Sequence, residues 1–389
     1  MAQIKIVNGK LITPYRIREG ATLLITGDKI DAIEEGDLEA SEARVLDAGG
    51  CYVAPGFIDL HVHGGGDHDF MDGTETAFTA VSRLHARYGT TAMTPTTLSC
   101  GSAELARVLE AYEKTAPASG FIGVHLEGPY LSMNQRGAQD PRYIRNPAPT
   151  EYRDMLTRYP FIKRWSAAPE LPGALDFADF LRAAGVLVSL AHTDAVYEEV
   201  LEGFERGFTH ATHLYSAMNG VTRRGVHRYA GAVESAWLID EMTVEIIADG
   251  VHLPPPLLRL VYKLKGADKT ALITDAMRGA GMPPGASVLG SRHDGLPVLI
   301  EDGVAKLPDR SAFAGSVATA DRLVRNMVQL AGVPLCDAVR MMTSTPAEIM
   351  GIADRKGSLS PGKDADLVLF DEQINVHHTI RGGKIVYSL

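Results

Sequence analysis

Six side chains stand out because of where they fall along the chain. His61 and His63 sit at i and i+2 at the end of an apolar run, so on an extended strand both rings point to one face and can reach one cation. Glu127 closes a second run, His192 a third, His213 lies in Thr212-His213-Leu214, and Asp275 follows Leu272-Ile273-Thr274. Each has an ordinary reading on its own. The histidine pair could belong to the Gly64-Gly65-Gly66 loop, Glu127 could be a loop or helix-capping carboxylate, and His192 and His213 could be satisfied buried imidazoles. Asp275 could cap a helix after its strand. Packing does not explain the group, because imidazoles and carboxylates recur at the same ends of apolar runs. Nitrogen and oxygen donors without thiolate suit Zn²⁺, Fe²⁺, Mn²⁺ or Co²⁺. A carboxylate buried behind an apolar run is costly unless paired. Beside such an ion, Asp275 could take a proton from water and pass it to a leaving group.

Eight apolar, β-branched runs carry these residues: 57–63, 90–97, 121–127, 162–170, 186–192, 209–216, 243–250 and 269–276. Most are separated by stretches long enough for a helix, such as 77–88, 103–113 and 177–184. Strands alternating with helices imply parallel pairing, and eight such units close into a (β/α)8 TIM-like barrel, an α/β fold whose catalytic groups gather at the C-terminal strand ends. Residues 319–330 and 336–350 read as amphipathic helices covering the barrel.

Both chain ends have a different texture. Residues 4–7 and 10–12 flank Asn8-Gly9, a hairpin signal, and a second turn is expected at Gly27-Asp28. Near the other end, residues 362–366 lead into Leu367-Val368-Leu369-Phe370, followed by a hairpin at Gly382-Gly383. Neither piece can bury a core alone. The expectation is one small discontinuous β-sandwich domain from residues 1–54 and 357–389, beside a hydrolase barrel spanning 55–356.

Composition narrows the class. The chain has 389 residues, 38 Lys plus Arg against 48 Asp plus Glu, and a formal charge of −10, which disfavours a nucleic-acid partner. No apolar stretch approaches a membrane span, no signal-peptide pattern opens the chain, and three scattered cysteines form no disulfide framework. A cytoplasmic protein with no membrane partner is expected.

His61-Val62-His63 after Pro55-Gly56-Phe57-Ile58-Asp59 resembles the amidohydrolase superfamily of metal-dependent hydrolases. More narrowly, the chain is similar to the N-acetylglucosamine-6-phosphate deacetylases. The matching segments are Gly123-Val124-His125-Leu126-Glu127-Gly128-Pro129, Thr209-His210-Ala211-Thr212-His213-Leu214-Tyr215, Ile247-Ala248-Asp249-Gly250-Val251-His252, Ala314-Gly315-Ser316 and the tail 357–367. Many amidohydrolases place a carbamylated lysine where Glu127 falls. No lysine ends the third or fourth run here, so that variant is disfavoured. The resemblance implies that Glu127, His192 and His213 hold the principal metal and that Asp275 is the acid/base. His61 and His63 are the features of members that hold two metals, with the glutamate as bridge. One or two divalent ions per subunit, Zn²⁺ foremost, are therefore expected.

By the same resemblance the reaction is hydrolysis of the acetamide of an N-acetyl amino sugar, foremost N-acetylglucosamine 6-phosphate. A sugar site is implied at Ala138, Gln139, Ser216, Ala217, Arg224, His252, Phe313, Ala314 and Gly315. Here the chain departs from the pattern. Gly137-Ala138-Gln139-Asp140 stands where the family usually has Gly-Ala-His-Asn, and Ser216-Ala217-Met218 where it has Asn-Ala-Met. The phosphate-binding arginine falls on Arg224, but its usual turn is replaced by Arg224-Gly225-Val226-His227-Arg228-Tyr229. In several members that arginine reaches across a dimer interface, so a homodimer is expected. The alternatives are an unphosphorylated or different N-acetyl hexosamine, a cyclic amide, a deaminase substrate, an N-acyl amino acid, or a non-catalytic barrel.

Overall fold

The computed structural model describes residues 2–389, without the side chains of Pro117, Ala118 and Arg224. Eight parallel strands follow one another in a single sheet: Phe57–Val62, Thr90–Thr97, Val124–Glu127, Ile162–Ala167, Leu187–Leu190, Phe208–Ala211, Thr243–Ile246 and Thr270–Leu272. Val62 pairs with Ala276 in parallel, and the Asp275 N–H donates to His61 O at 2.8 Å, which brings the eighth unit back to the first. The second and third strands end with their apolar runs, at Thr97 and Glu127, and the other six end earlier than theirs. The remaining run residues, including His192, His213 and Asp275, form the loops just past the strand ends.

The crossovers are amphipathic. Helix Glu75–Ala86 starts where the Thr74 hydroxyl accepts from the Ala77 N–H, and it buries Ala77, Phe78, Val81 and His85 at helical spacing. These faces join one large apolar core around the barrel with Phe57, Trp165, Phe177 and Phe208.

A second eight-stranded sheet is built from both chain ends. Gln3–Ile12 pairs with Ile17–Thr26 and, in parallel, with Tyr52–Pro55, which lies against Leu367–Phe370. Its own core includes Ile6, Leu23, Ile25, Val53, Leu367 and Leu369. The turns at Gly27-Asp28 and Gly382-Gly383 connect antiparallel neighbours as expected.

Three local expectations need correction. Asn8-Gly9 is not a hairpin. Gln3–Ile12 runs through it as one strand with a register irregularity and Asn8 at φ 56°. The reason is packing, because a Cβ at Gly9 would lie 2.6 Å from Val53 Cγ2, so glycine there permits a close strand approach. The helix expected over 336–350 is two, Leu335–Met341 and Ser344–Ile349, since Pro346 fits only in a helix's first turn. Finally, an antiparallel sheet of Gly285–Leu289, Leu296–Glu301, Val304–Lys306 and Phe313–Ser316 follows the eighth barrel strand, where the sequence reading had no strand.

Candidate metal centre

The six residues converge at the C-terminal mouth of the barrel. His61 is the penultimate residue of the first strand and is fully buried, with His63 just past the strand end on the same face. Glu127 ends the third strand. His192, His213 and Asp275 lie just past three other strands with φ of 46°, 29° and 47°. Left-handed backbone at a non-glycine residue is strained, and it persists only where surrounding contacts enforce it. These turns swing the three side chains inward over the barrel axis.

Glu127 is the hub. Its Oε1 lies 2.9 Å from His213 Nε2, 3.2 Å from His192 Nε2 and 3.6 Å from His61 Nε2, while Oε2 lies 3.4 Å from His63 Nε2. Asp275 Oδ1 is 3.2 Å from His63 Nε2 and 3.5 Å from His61 Nε2. Two overlapping donor sets fit around a cation: His61, Glu127 and His213, and His61, His63 and Asp275, with donor atoms within 4.8 Å of one another in each. Imidazole nitrogens and carboxylate oxygens gathered this closely suit a divalent ion of borderline softness.

The electrostatics agree with this chemistry. Burial alone would push the Glu127 carboxyl up. The charge of His61 and hydrogen bonds from His192, His213 and His63 outweigh it and hold Glu127 well below the usual carboxylate range. Asp275 is likewise lowered against its burial, by the charge of His61 and the hydrogen bond and charge of His63. The His63 imidazole is raised well above its ordinary value despite burial, by its hydrogen bonds to Asp275 and Glu127. Both carboxylates are thus kept anionic, the condition for holding a cation.

A cavity of about 400 Å³ opens above this cluster, its wall formed partly by loop 134–139 and partly by the inserted antiparallel sheet. Of the expected sugar-site residues, Ala138, Gln139, Ser216, Ala217, His252, Phe313 and Gly315 line it. Ala314 does not. Alternation along Phe313–Ser316 turns it away, into a cluster with Met277, Leu289, Val298 and Ile300. The Arg224 side chain lies outside the described residues. Gln139 reaches the cavity wall, but its amide donates to Glu127 Oε2 and its carbonyl accepts from the Ser99 N–H. His252 is held by Asp249, whose carboxylate accepts from its Nδ1 at 2.8 Å, and its ring lies 4.5 Å from that of Phe313.

The sequence reading passed over Leu98, Asn134, Gln135, Tyr215, Leu289 and Ala312, which also line the cavity. It also passed over Glu245 and Arg164, which lie beneath the centre. Their one signal was charge inside an otherwise apolar strand, Glu245 alone in its strand and Arg164 next to Lys163.

The chain matches the amidohydrolase family model over residues 52–386. It belongs to the amidohydrolase family. The N-acetylglucosamine-6-phosphate deacetylase of Lysinibacillus sphaericus is 34% identical to this amidohydrolase over 363 residues, 90% of this chain and 89% of the relative. The N-acetylgalactosamine-6-phosphate deacetylase of Escherichia coli O157:H7 is 33% identical over 338 residues, covering 86% and 87%. A solved structure of a variant N-acetyl-D-glucosamine-6-phosphate deacetylase from Mycobacterium smegmatis, in complex with N-acetyl-D-glucosamine-6-phosphate, superposes with a TM-score of 0.91. It is 31% identical and covers 100% of this amidohydrolase and 99% of that chain. Among the described residues no helix is long and apolar enough to cross a membrane.

Proposed function

We propose that this amidohydrolase removes the acetyl group of N-acetylglucosamine 6-phosphate, giving glucosamine 6-phosphate and acetate. The observation that carries the reading is Glu127 surrounded by four imidazoles within 3.6 Å at the floor of a substrate-sized cavity. The names of relatives aligned over most of the chain narrow the substrate class. Glu127, His192 and His213 would hold the principal ion, and His61 and His63 a second, with Glu127 between them. Zn²⁺ suits this donor set best, with Fe²⁺, Mn²⁺ or Co²⁺ as substitutes. When bound, the ion polarises the acetyl carbonyl and lowers the pKa of water.

The chain's own residues supply the proton transfers. Asp275, kept anionic by its neighbours, accepts the proton of the attacking water at its carboxylate. It then delivers that proton to the amide nitrogen, which does not leave unprotonated. His252, with Nδ1 committed to Asp249, presents Nε2 to orient the sugar or acetyl oxygen. The hairpin Thr222–Arg224 with His227–Tyr229 carries Arg223, Arg224 and Arg228, and a guanidinium there would bind the 6-phosphate bidentately, from the second subunit of a homodimer. We also read residues 1–54 with 357–389 as one domain and 55–356 as the other, in a cytoplasmic enzyme without membrane or nucleic-acid partners.

N-acetylgalactosamine 6-phosphate is the second reading. It is favoured by the Escherichia coli O157:H7 relative and by Gln139 and Ser216 standing where the family usually has His and Asn. Steady-state kinetics of the zinc-loaded chain on both N-acetyl hexosamines, with and without 6-phosphate, tests all of this. A charge-assisted phosphate contact is worth about 1.5–3 kcal/mol, so kcat/KM should favour the phosphorylated sugar by roughly 10- to 150-fold. Equal values overturn the phosphate assignment. Inactivity toward every acetylated amino sugar overturns the deacetylase.

A further inference from the structure

Directly beneath the metal centre, the barrel interior holds an ion pair that the proposed reaction does not use. Arg164, on the fourth barrel strand, and Glu245, on the seventh, have no exposed side-chain surface. Arg164 Nη1 donates to Glu245 Oε2 at 2.7 Å and Nη2 to Oε1 at 2.8 Å. The same guanidinium donates to Leu60 O at 2.9 Å and to Thr212 Oγ1 at 2.9 Å, the residues immediately before His61 and His213. Glu245 Oε1 lies 3.1 Å from His61 Nδ1 and accepts the His213 N–H at 3.3 Å. Its Oε2 lies 3.1 Å from His210 Nε2.

Barrel interiors are usually filled by branched apolar side chains, and a buried ion pair is often no more stabilising than an apolar replacement. This pair therefore needs an explanation other than stability. His61 is shared by both candidate donor sets. Its ring is the one oriented by a buried charged group. His192 Nδ1 meets a backbone carbonyl, that of Gln135, and the Nδ1 atoms of His63 and His213 have no partner among the described residues.

We propose that Glu245, clamped by Arg164, is the positioning residue for His61. A carboxylate cannot donate, so His61 Nδ1 carries the proton and Nε2 presents its lone pair to the cluster of His63, Glu127 and Asp275. The inference rests on the metal-hydrolase reading and adds to it the residue that sets a ligand's tautomer.

Zinc uptake by the purified chain, measured by equilibrium dialysis and elemental analysis, is compared with that of two variants. Glu245→Asp keeps the charge opposite Arg164 but withdraws it from His61. The double variant Arg164→Met with Glu245→Leu removes both charges and the acceptor facing His61 Nδ1, and it leaves no unpaired ion in the barrel. Both should weaken the most loosely held zinc by about 10- to 100-fold, with circular dichroism unchanged. In parallel, long-range ¹H–¹⁵N spectra of the zinc-loaded wild type should show His61 protonated at Nδ1. Wild-type zinc affinity in Glu245→Asp, or a His61 unprotonated at Nδ1, overturns the inference and leaves the hydrolase reading intact. A wild-type chain that takes up no zinc overturns both.

Discussion

Gln139 Nε2 donates to Glu127 Oε2 at 2.7 Å, while Gln139 Oε1 accepts the Ser99 N–H at 2.8 Å. Both ends of the amide are therefore committed to protein groups, and the Glu127 carboxylate is rotated so that Oε1 faces His192 and His213. A residue placed by resemblance in the sugar site lines the cavity and also touches the hub of the metal centre.

Gln139→Leu keeps the bulk and removes both hydrogen bonds. Freed, Glu127 can turn away from the imidazoles, so zinc affinity and kcat/KM should each fall by about 10- to 100-fold, as for other groups that orient metal ligands. Gln139→Glu should be worse, because it sets a second carboxylate against the first. Dialysis against graded zinc, followed by kinetics, measures both effects. Unchanged zinc affinity in Gln139→Leu would show that the amide does not orient Glu127.

Asp275→Asn removes the proton acceptor while keeping side-chain shape. The expected result is kcat lower by about 10²–10⁴ with zinc content retained. Turnover near the wild-type level would refute the acid/base assignment.

Asp59 gives a pH signature. It is fully buried, and burial raises its carboxyl to about 7, against hydrogen bonds from Thr274 and His61 that lower it. An acid raised in the fold favours folding most below its unfolded value of about 4, and that contribution disappears as pH rises through about 7. Asp59→Asn keeps an acceptor for the Thr274 and His61 N–H groups and a donor toward Thr274 Oγ1. At roughly 1.4 kcal/mol per unit, the variant should gain about 2–4 kcal/mol over wild type at pH 8 and almost nothing at pH 4. Urea unfolding of the metal-free chain at both values measures this. A pH-independent difference would mean that Asp59 does not change protonation between the two.

Asp249 accepts from the His252 ring and from the N–H groups of Val251 and His252. Asp249→Asn retains an acceptor for the backbone and loses the charge that fixes the imidazole. The expected result is about a tenfold loss of kcat/KM with zinc binding unchanged. If His252 contacts the sugar alone, KM should carry the loss, and if it acts on the acetyl carbonyl, kcat should.

What could be read from the sequence is local in origin. Strand alternation puts His61 and His63 on one face whatever the fold does elsewhere, and β-branched runs alternating with helical segments imply a parallel barrel and the ends of its strands. Gly27-Asp28 and Gly382-Gly383 make turns in which Gly27, Gly382 and Gly383 all take positive φ, as their local signal implies. Asn8-Gly9 carries the same local signal but stays extended, because Val53 packs against the glycine from a strand some forty residues later. The inserted sheet was invisible because its short strands, such as Val304–Lys306, gain stability only by pairing with one another. Tertiary structure alone decided that Gln139 grips Glu127, that Ala314 faces a core rather than the cavity, and that Glu245 and Arg164 lie under His61. A charge within an apolar strand is costly anywhere, and only the barrel's closure, which brings residues 61, 164 and 245 together, shows what offsets it.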